Sequence, residues 1–342
     1  MVPLTKAYQI NWIRTGPLLQ PHEFQWTNYP DLSLGVNGID TKDPCPVYDD
    51  YGQLHVYGSV GRDTLHWWIL HAKYSKGRWI EEPAVKLHGI KGSSIAAPGM
   101  MYENGIFHMF IQTDCFALGG NIEHLISTDG ENFRYFDTVR SAVENTKEAG
   151  IYDPHPAIIN GQKYIVYSAM AEKGRPDSIN LLFSKNNTWY GPWECSGELL
   201  KQCDVSWHHN QPNQQDYEWG IEGAQLIPLP NGLILMNAVC FLPNGTRGTR
   251  QRTFFAVAEN IKGPYYSLGP MMSPTHGWEA GENGHAAAVI ENDTFKLFYQ
   301  ARESGESTHP WRYGLATCSV FELQEAAKNC LEKKYFEKTL FS

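Results

Sequence analysis

Two stretches of this chain open on Asp-Pro and continue as the same hairpin. The first is Asp43-Pro44-Cys45-Pro46-Val47-Tyr48, which turns at Gly52 into Leu54-His55-Val56-Tyr57-Gly58-Ser59. The second is Asp153-Pro154-His155-Pro156-Ala157-Ile158, which turns at Gly161 into Lys163-Tyr164-Ile165-Val166-Tyr167-Ser168. Three further hairpins keep the shape without the Asp-Pro: Ala96-Ala97-Pro98-Gly99-Met100-Met101 turning at Gly105, Glu222-Gly223-Ala224-Gln225-Leu226-Ile227 turning at Gly232, and His285-Ala286-Ala287-Ala288-Val289-Ile290 turning near Asp293. The turns are 53, 56, 71 and 61 residues apart. A hairpin unit of this length cannot bury its own faces, and radial repetition of such units is the β-propeller solution. Five copies predict an all-β, five-bladed β-propeller with four-stranded antiparallel blades.

The 342 residues are therefore read as one domain. Residues 1–40 form a lead-in segment that helps close the ring. Blades follow over roughly 41–90, 91–145, 150–200, 220–272 and 280–320. Matching Gly-Pro-aromatic turns at Gly191-Pro192-Trp193 and Gly263-Pro264-Tyr265 mark the ends of blades III and IV. Thr128-Asp129-Gly130-Glu131-Asn132-Phe133 reads as an ordinary Asp-Gly hairpin turn. Leu323, Ala327, Leu331 and Tyr335 recur at four-residue steps within 321–342, which predicts a short C-terminal amphipathic helix. The longest interval holds a polar, aromatic loop with Trp207 and Trp219, a length and composition that favour function.

In a propeller the inner strands all run the same way along the central channel, so residues at equivalent strand starts meet at one mouth. Aligning the turns places Asp43, Ala96, Asp153, Glu222 and His285 there. For a lone Asp-Pro, starting a strand is explanation enough; here blade II does without an acid, so the repeat itself does not require one. Carboxylates crowded at one mouth separate in pKa, one ionised as a base and another protonated as an acid, and such a pair suits glycosidic bond cleavage. The net charge of −9, with scattered Lys and Arg, argues against nucleic acid. No apolar run reaches membrane length. Seven cysteines without a C-x-x-C pair indicate neither a disulfide framework nor a zinc site, and no metal-ligand spacing is found. The N-terminal residues lack the apolar run of a signal peptide, so the chain as given is expected in the cytoplasm, or outside the cell if a signal was trimmed.

With these motifs in order, residues 40–320 resemble the five-bladed glycoside hydrolases, family 43 most closely, related to the propellers of families 32, 68 and 62. The resemblance implies an inverting hydrolase that releases a pentose of the arabinose or xylose type from oligo- or polysaccharides. Carried over by motif, Asp43 matches the general base, Asp153 the residue that orients the acid and adjusts its pKa, and Glu222 the general acid. His285 matches a blade V histidine near bound water or a cation, so no cofactor is required, while a structural calcium or other cation near His285 is compatible. Arg302 resembles the family's blade V arginine. Trp219, three residues before Glu222, and Trp207 are candidate sugar platforms, because a flat apolar ring face suits the C–H side of a sugar. Ala224 stands where the family often has Pro, and Lys42-Asp43-Pro44-Cys45 departs from the Asn-Asp-Pro-Asn of the fructan-acting relatives. Two other readings stay open: a phosphorylase, for which Arg62 and Arg302 are few basic groups, and a sugar-binding propeller without catalysis.

Overall fold

The computed structural model describes residues 10–18, 40–61, 67–76, 78–114, 118–171, 178–201, 220–241, 251–269, 272, 275, 277–303 and 310–340, the last six without their side chains. A short strand, β1 (Ile13–Thr15), comes first. Blade I holds β2 (Asp40–Tyr48), β3 (Leu54–Gly61), β4 (Trp67–Ser75) and β5 (Arg78–Glu81), and β6 (Lys86–His88) follows it. Blade II holds β7 (Ala96–Glu103), β8 (Ile106–Thr113), β9 (Asn121–Ser127) and β10 (Asn132–Ser141). Blade III holds β11 (Gly150–Ile159), β12 (Gln162–Met170), β13 (Ser178–Ser184) and β14 (Trp193–Lys201). Blade IV holds β15 (Ile221–Pro228), β16 (Ile234–Phe241), β17 (Gln251–Ala258) and β18 (Tyr266–Gly269). Blade V holds β19 (Glu282–Glu291), β20 (Thr294–Arg302) and β21 (Arg312–Ser319), and α1 (Val320–Leu340) follows.

Each blade is an antiparallel meander, and the five-bladed propeller with four-stranded blades is the observed fold. Blade V takes its fourth strand from the other end of the chain: β1 pairs antiparallel with β21, Ile13 opposite Thr317 and Thr15 opposite Leu315. The lead-in segment thus closes the ring. Blade II gains a short extra strand, because β6 pairs parallel with β10.

The buried apolar residues fall between the blades. Cys45, Val47 and Ile69 of blade I meet Met100, Phe107 and Met109 of blade II. Phe110 and Ile122 meet Ile151 and Ile165, and Ala157 and Val166 meet Leu226 and Met236. Alternation along each strand produces this: one set of side chains faces one neighbouring blade and the next set faces the other. Leu323, Ala327 and Leu331 of α1 pack on the blade IV–V cluster, as the four-residue spacing predicts, together with Ala326 and Cys330. Ser319 caps the helix by accepting the Phe321 N–H at 3.1 Å. At the predicted Asp-Gly turn, Asp129 accepts the N–H groups of Glu131 and Asn132, and Tyr57 donates to the Gly130 carbonyl, tying blade I to blade II. Among the described residues, no helix is long and apolar enough to cross a membrane.

Candidate active site

Every first strand is broken by a register shift near its start: after Lys42, Ala96, Tyr152, Glu222 and Gly284. The residue that follows each break has positive φ: Asp43 at 54°, Ala97 at 50°, Asp153 at 49°, Gly223 at 64° and His285 at 22°. Such bulges re-aim a side chain and leave one residue without a ladder partner. The next residue is Pro44, Pro98 and Pro154 in blades I to III, where the missing N–H of proline goes unfelt.

This geometry corrects the alignment drawn from the sequence in two blades. Ala97, not Ala96, is the counterpart of Asp43 and Asp153, and in blade IV the counterpart is Gly223. Glu222 stands one residue earlier, level with Lys42. The mark that could have revealed this is the Pro following the bulged residue, present as Pro98 in blade II. Blade IV uses Gly223 for a steric reason as well, since a Cβ there would lie 2.8 Å from His285 Nδ1. That is a physical account of the Glu-Gly pair.

The structure brings Asp43, Asp153, Glu222 and His285 together. His285 Nε2 is hydrogen-bonded to Glu222 Oε1 at 2.9 Å, while its Nδ1 stands 3.2 Å from Asp43 Oδ1 and 4.0 Å from Asp153 Oδ1. The contact with Asp43 is close but not aligned as a hydrogen bond, and Asp43 Oδ1 has no such partner among the described residues. The four side chains are only 8–12% exposed. A cavity of about 30 Å³, lined by Asp43, Ala97, Asp153, Gly223 and His285 with Cys45 and His155, sits among them. Beside it the Cys45 thiol lies 3.4 Å from His155 Nε2.

Electrostatics follow from the crowding. Burial pushes the Asp153 carboxyl up, to about 7; His285 opposes this, while Glu222 and Asp43 add to it. Burial alone would lower His285, yet Asp43, Asp153 and the bond to Glu222 raise it, so the ring is an imidazolium at neutral pH. Lys42 was not singled out as a site residue in the sequence. Desolvation works against its charge, but Asp43, Glu222, Asp153 and Asp40 together keep its pKa raised, so it is a second cation beside the acids. Its Nζ also lies 5.4 Å from the Trp67 ring centre. The only hint in the sequence was a lysine placed directly before Asp-Pro.

Other predicted residues fall elsewhere. Arg302 ends β20 at the same end of blade V as His285, donates from Nε to Glu282 Oε1 at 2.6 Å, and lies 4.3 Å over the Trp311 ring. Trp207, Trp219 and Arg62 lie outside the described residues. One donor atom from each of Asp153, Glu222 and His285 lies within 4.8 Å of the others, a spacing able to hold a cation once the imidazole is neutral.

Comparison with protein-family models found no match, and comparison with curated proteins found none. Among solved structures, the chain is similar to the catalytic domain of a GH62 α-L-arabinofuranosidase from Coprinopsis cinerea, with TM-score 0.66 and 14% identity over 91% of this chain and 98% of that one. It is also similar to an α-L-arabinofuranosidase from Podospora anserina in complex with cellotriose, with TM-score 0.62 and 14% identity over 91% and 97%. A thermostable family-43 glycoside hydrolase matches with TM-score 0.59 and 14% identity over 82% and 88%. At these identities the shared property is the fold, a five-bladed propeller like that of the family 43 and family 62 enzymes.

Proposed function

We propose that this protein is a glycoside hydrolase that releases a pentose of the arabinose or xylose type, with inversion. The observation that carries the reading is the grouping of Asp43, Asp153 and Glu222 around the His285 imidazolium at one end of a five-bladed propeller. Similarity in fold to arabinofuranosidases supports the sugar class.

Asp43 acts as general base and takes a proton from the attacking water. Glu222 acts as general acid and protonates the departing oxygen. Asp153, whose carboxyl is pushed up to about 7 and is therefore about half protonated at neutral pH, is the neighbour that orients Glu222 and adjusts its acidity. Lys42 and His285 offset the negative charge, which lets three acids share one mouth without forcing all of them to protonate. His285 stands between Asp43 and Glu222, one ring nitrogen toward each, and this supports two carboxyl groups held apart rather than sharing a proton. Inversion requires a separation of about 6.5–9.5 Å, so that water and sugar fit together. A calcium or other small cation would be held by Asp153, Glu222 and His285 and would supply positive charge at the channel; the proposed reaction does not require one. The substrate-binding roles of Arg302, Trp207 and Trp219 belong to the same proposal.

The test is a panel of 4-nitrophenyl glycosides, α-L-arabinofuranoside and β-D-xylopyranoside among them, with arabino- and xylo-oligosaccharides, assayed with and without phosphate. Hydrolysis independent of phosphate, and lost in Asp43→Asn and Glu222→Gln, is the expected result. Turnover that needs phosphate would make the protein a phosphorylase. Binding without turnover would leave it a sugar-binding propeller.

A further inference from the structure

At four of the five blade junctions, the bulged first-strand residue sends its backbone N–H to a side chain of the preceding blade. Asp43 donates to Gln300 Oε1 at 2.9 Å and Ala97 to Ser59 Oγ at 2.8 Å. Asp153 donates to Gln112 Oε1 at 2.8 Å and Gly223 to Ser168 Oγ at 2.9 Å. All four acceptors occupy one register position on the second strand: Ser59 opposite Lys42, Gln112 opposite Ala96, Ser168 opposite Tyr152 and Gln300 opposite Gly284. The fifth position is Val239, opposite Glu222, which has no side-chain acceptor. There the junction is held lower down by Gln225, which donates to the Ala288 carbonyl at 2.9 Å and accepts the Ala288 N–H at 2.6 Å.

Serine and glutamine are not interchangeable in this ring. A serine that accepts an N–H still has its own O–H to donate. The two serines stand in the two blades whose bulged residue is an aspartate, and each donates to it: Ser59 to Asp43 Oδ2 at 2.6 Å, and Ser168 to Asp153 Oδ2 at 3.3 Å. The glutamines stand in blades II and V, whose bulged residues are Ala97 and His285. Both serines are fully buried, so water does not compete for the O–H.

Resting on the glycosidase reading above, we propose that Ser59 and Ser168 are positioning residues for the two halves of the reaction. Ser59 ties down Oδ2 of Asp43 and so fixes the rotation of the carboxylate that takes the proton from water. Its hydroxyl cannot turn away, because the Ala97 N–H fixes its lone pair. Ser168 joins the Asp153 carboxylate to the peptide that follows Glu222, so the acid and its modulator are held as one unit across blades III and IV. Ser59 thus serves the base side and Ser168 the acid side.

The test uses the full chain, with the best wild-type glycoside prepared with a poor leaving group and with 2,4-dinitrophenolate. Ser59→Ala should lower kcat about tenfold or more on both substrates, with KM within about twofold. Ser168→Ala should lower kcat on the poor leaving group and recover most of it on the dinitrophenyl glycoside, which barely needs the acid. Ser59→Thr, which keeps the hydroxyl, should restore most of the activity. Ser59→Cys, close in volume and a weak donor, should resemble Ser59→Ala and serves as the readout if the alanine variant does not fold, with Tm followed in parallel. A folded Ser59→Ala or Ser59→Cys with wild-type kcat, or the same leaving-group response in the Ser59 and Ser168 variants, would overturn the assignment. A wild type inactive on every glycoside would overturn the glycosidase reading and the serine roles with it; an active wild type with unaffected serine variants would overturn only the latter.

Discussion

Gly223 shows how narrow the tolerance of this site is. A Cβ there would lie 2.8 Å from His285 Nδ1, so this bulge excludes the side chain that Asp43, Ala97 and Asp153 carry at a similar φ. Gly223→Ala should destabilise the protein by about 1–3 kcal/mol and displace His285 from Glu222, lowering kcat well beyond what the stability loss explains. Calorimetry and steady-state kinetics check the two parts separately. Asp153 supplies a second expectation. Its pKa, about 7 in the folded protein, lies above the usual ~3.9 of an unfolded aspartate. Such a group favours the folded state while protonated, and that contribution is lost as pH rises through about 7. The Tm advantage of the wild type over Asp153→Asn should therefore shrink as pH rises from about 4 to about 7 and level off above it, and kcat/KM should decline as pH rises through about 7. A Tm difference between the two proteins that stays constant from about pH 4.5 to 7 would contradict this.

Blades I and II each contain a buried histidine pair between their second and third strands. His55 Nδ1 meets His71 Nε2 at 2.9 Å, and His108 Nδ1 meets His124 Nε2 at 3.0 Å. Burial pushes His108 down to about 4 and His124 to about 3, with His71 also well below its ordinary value. In the unfolded chain these rings protonate near ~6.5. Their stabilising contribution is present above that pH and is lost as pH falls toward the folded values, at about 1.4 kcal/mol per pH unit for each ring that must stay neutral. Chemical denaturation at pH 7 and pH 5 should show this loss. His124→Phe, which keeps the stack on Phe110, should reduce the slope even if it lowers stability at pH 7.

The five blades were legible in the sequence because turn glycines and alternating strands are local signals. The bulge register was not, since it depends on which residue adopts positive φ, and acid residues were used as markers where the following proline was the better one. Glu222 was found for its Glu-Gly context, yet it occupies the position of Lys42 and not that of Asp43. Lys42 is not marked out in the sequence, because its importance lies in charges contributed by two other blades as well as its own. The parallel strand β6 has only three residues and no periodicity to read.

On the scale of the whole molecule, three residues close the ring. The strand Ile13–Thr15 completes blade V, and Trp12 beside it packs on Phe255 of blade IV at 6.0 Å between ring centres. Removing residues 1–16 should expose the edge of β21 and cost on the order of 3 kcal/mol from lost aromatic burial alone, read as a lower denaturation midpoint. The same closure brings His285 of the last blade against Asp43 of the first, so the site exists only in the closed ring. That juxtaposition underlies the central claim, that Asp43 activates water on one side of the sugar while Glu222 protonates the leaving group on the other. Proton NMR of the first sugar released, recorded before mutarotation, tests it directly. The account predicts a product of inverted anomeric configuration, and a product that retains the substrate's configuration would contradict it.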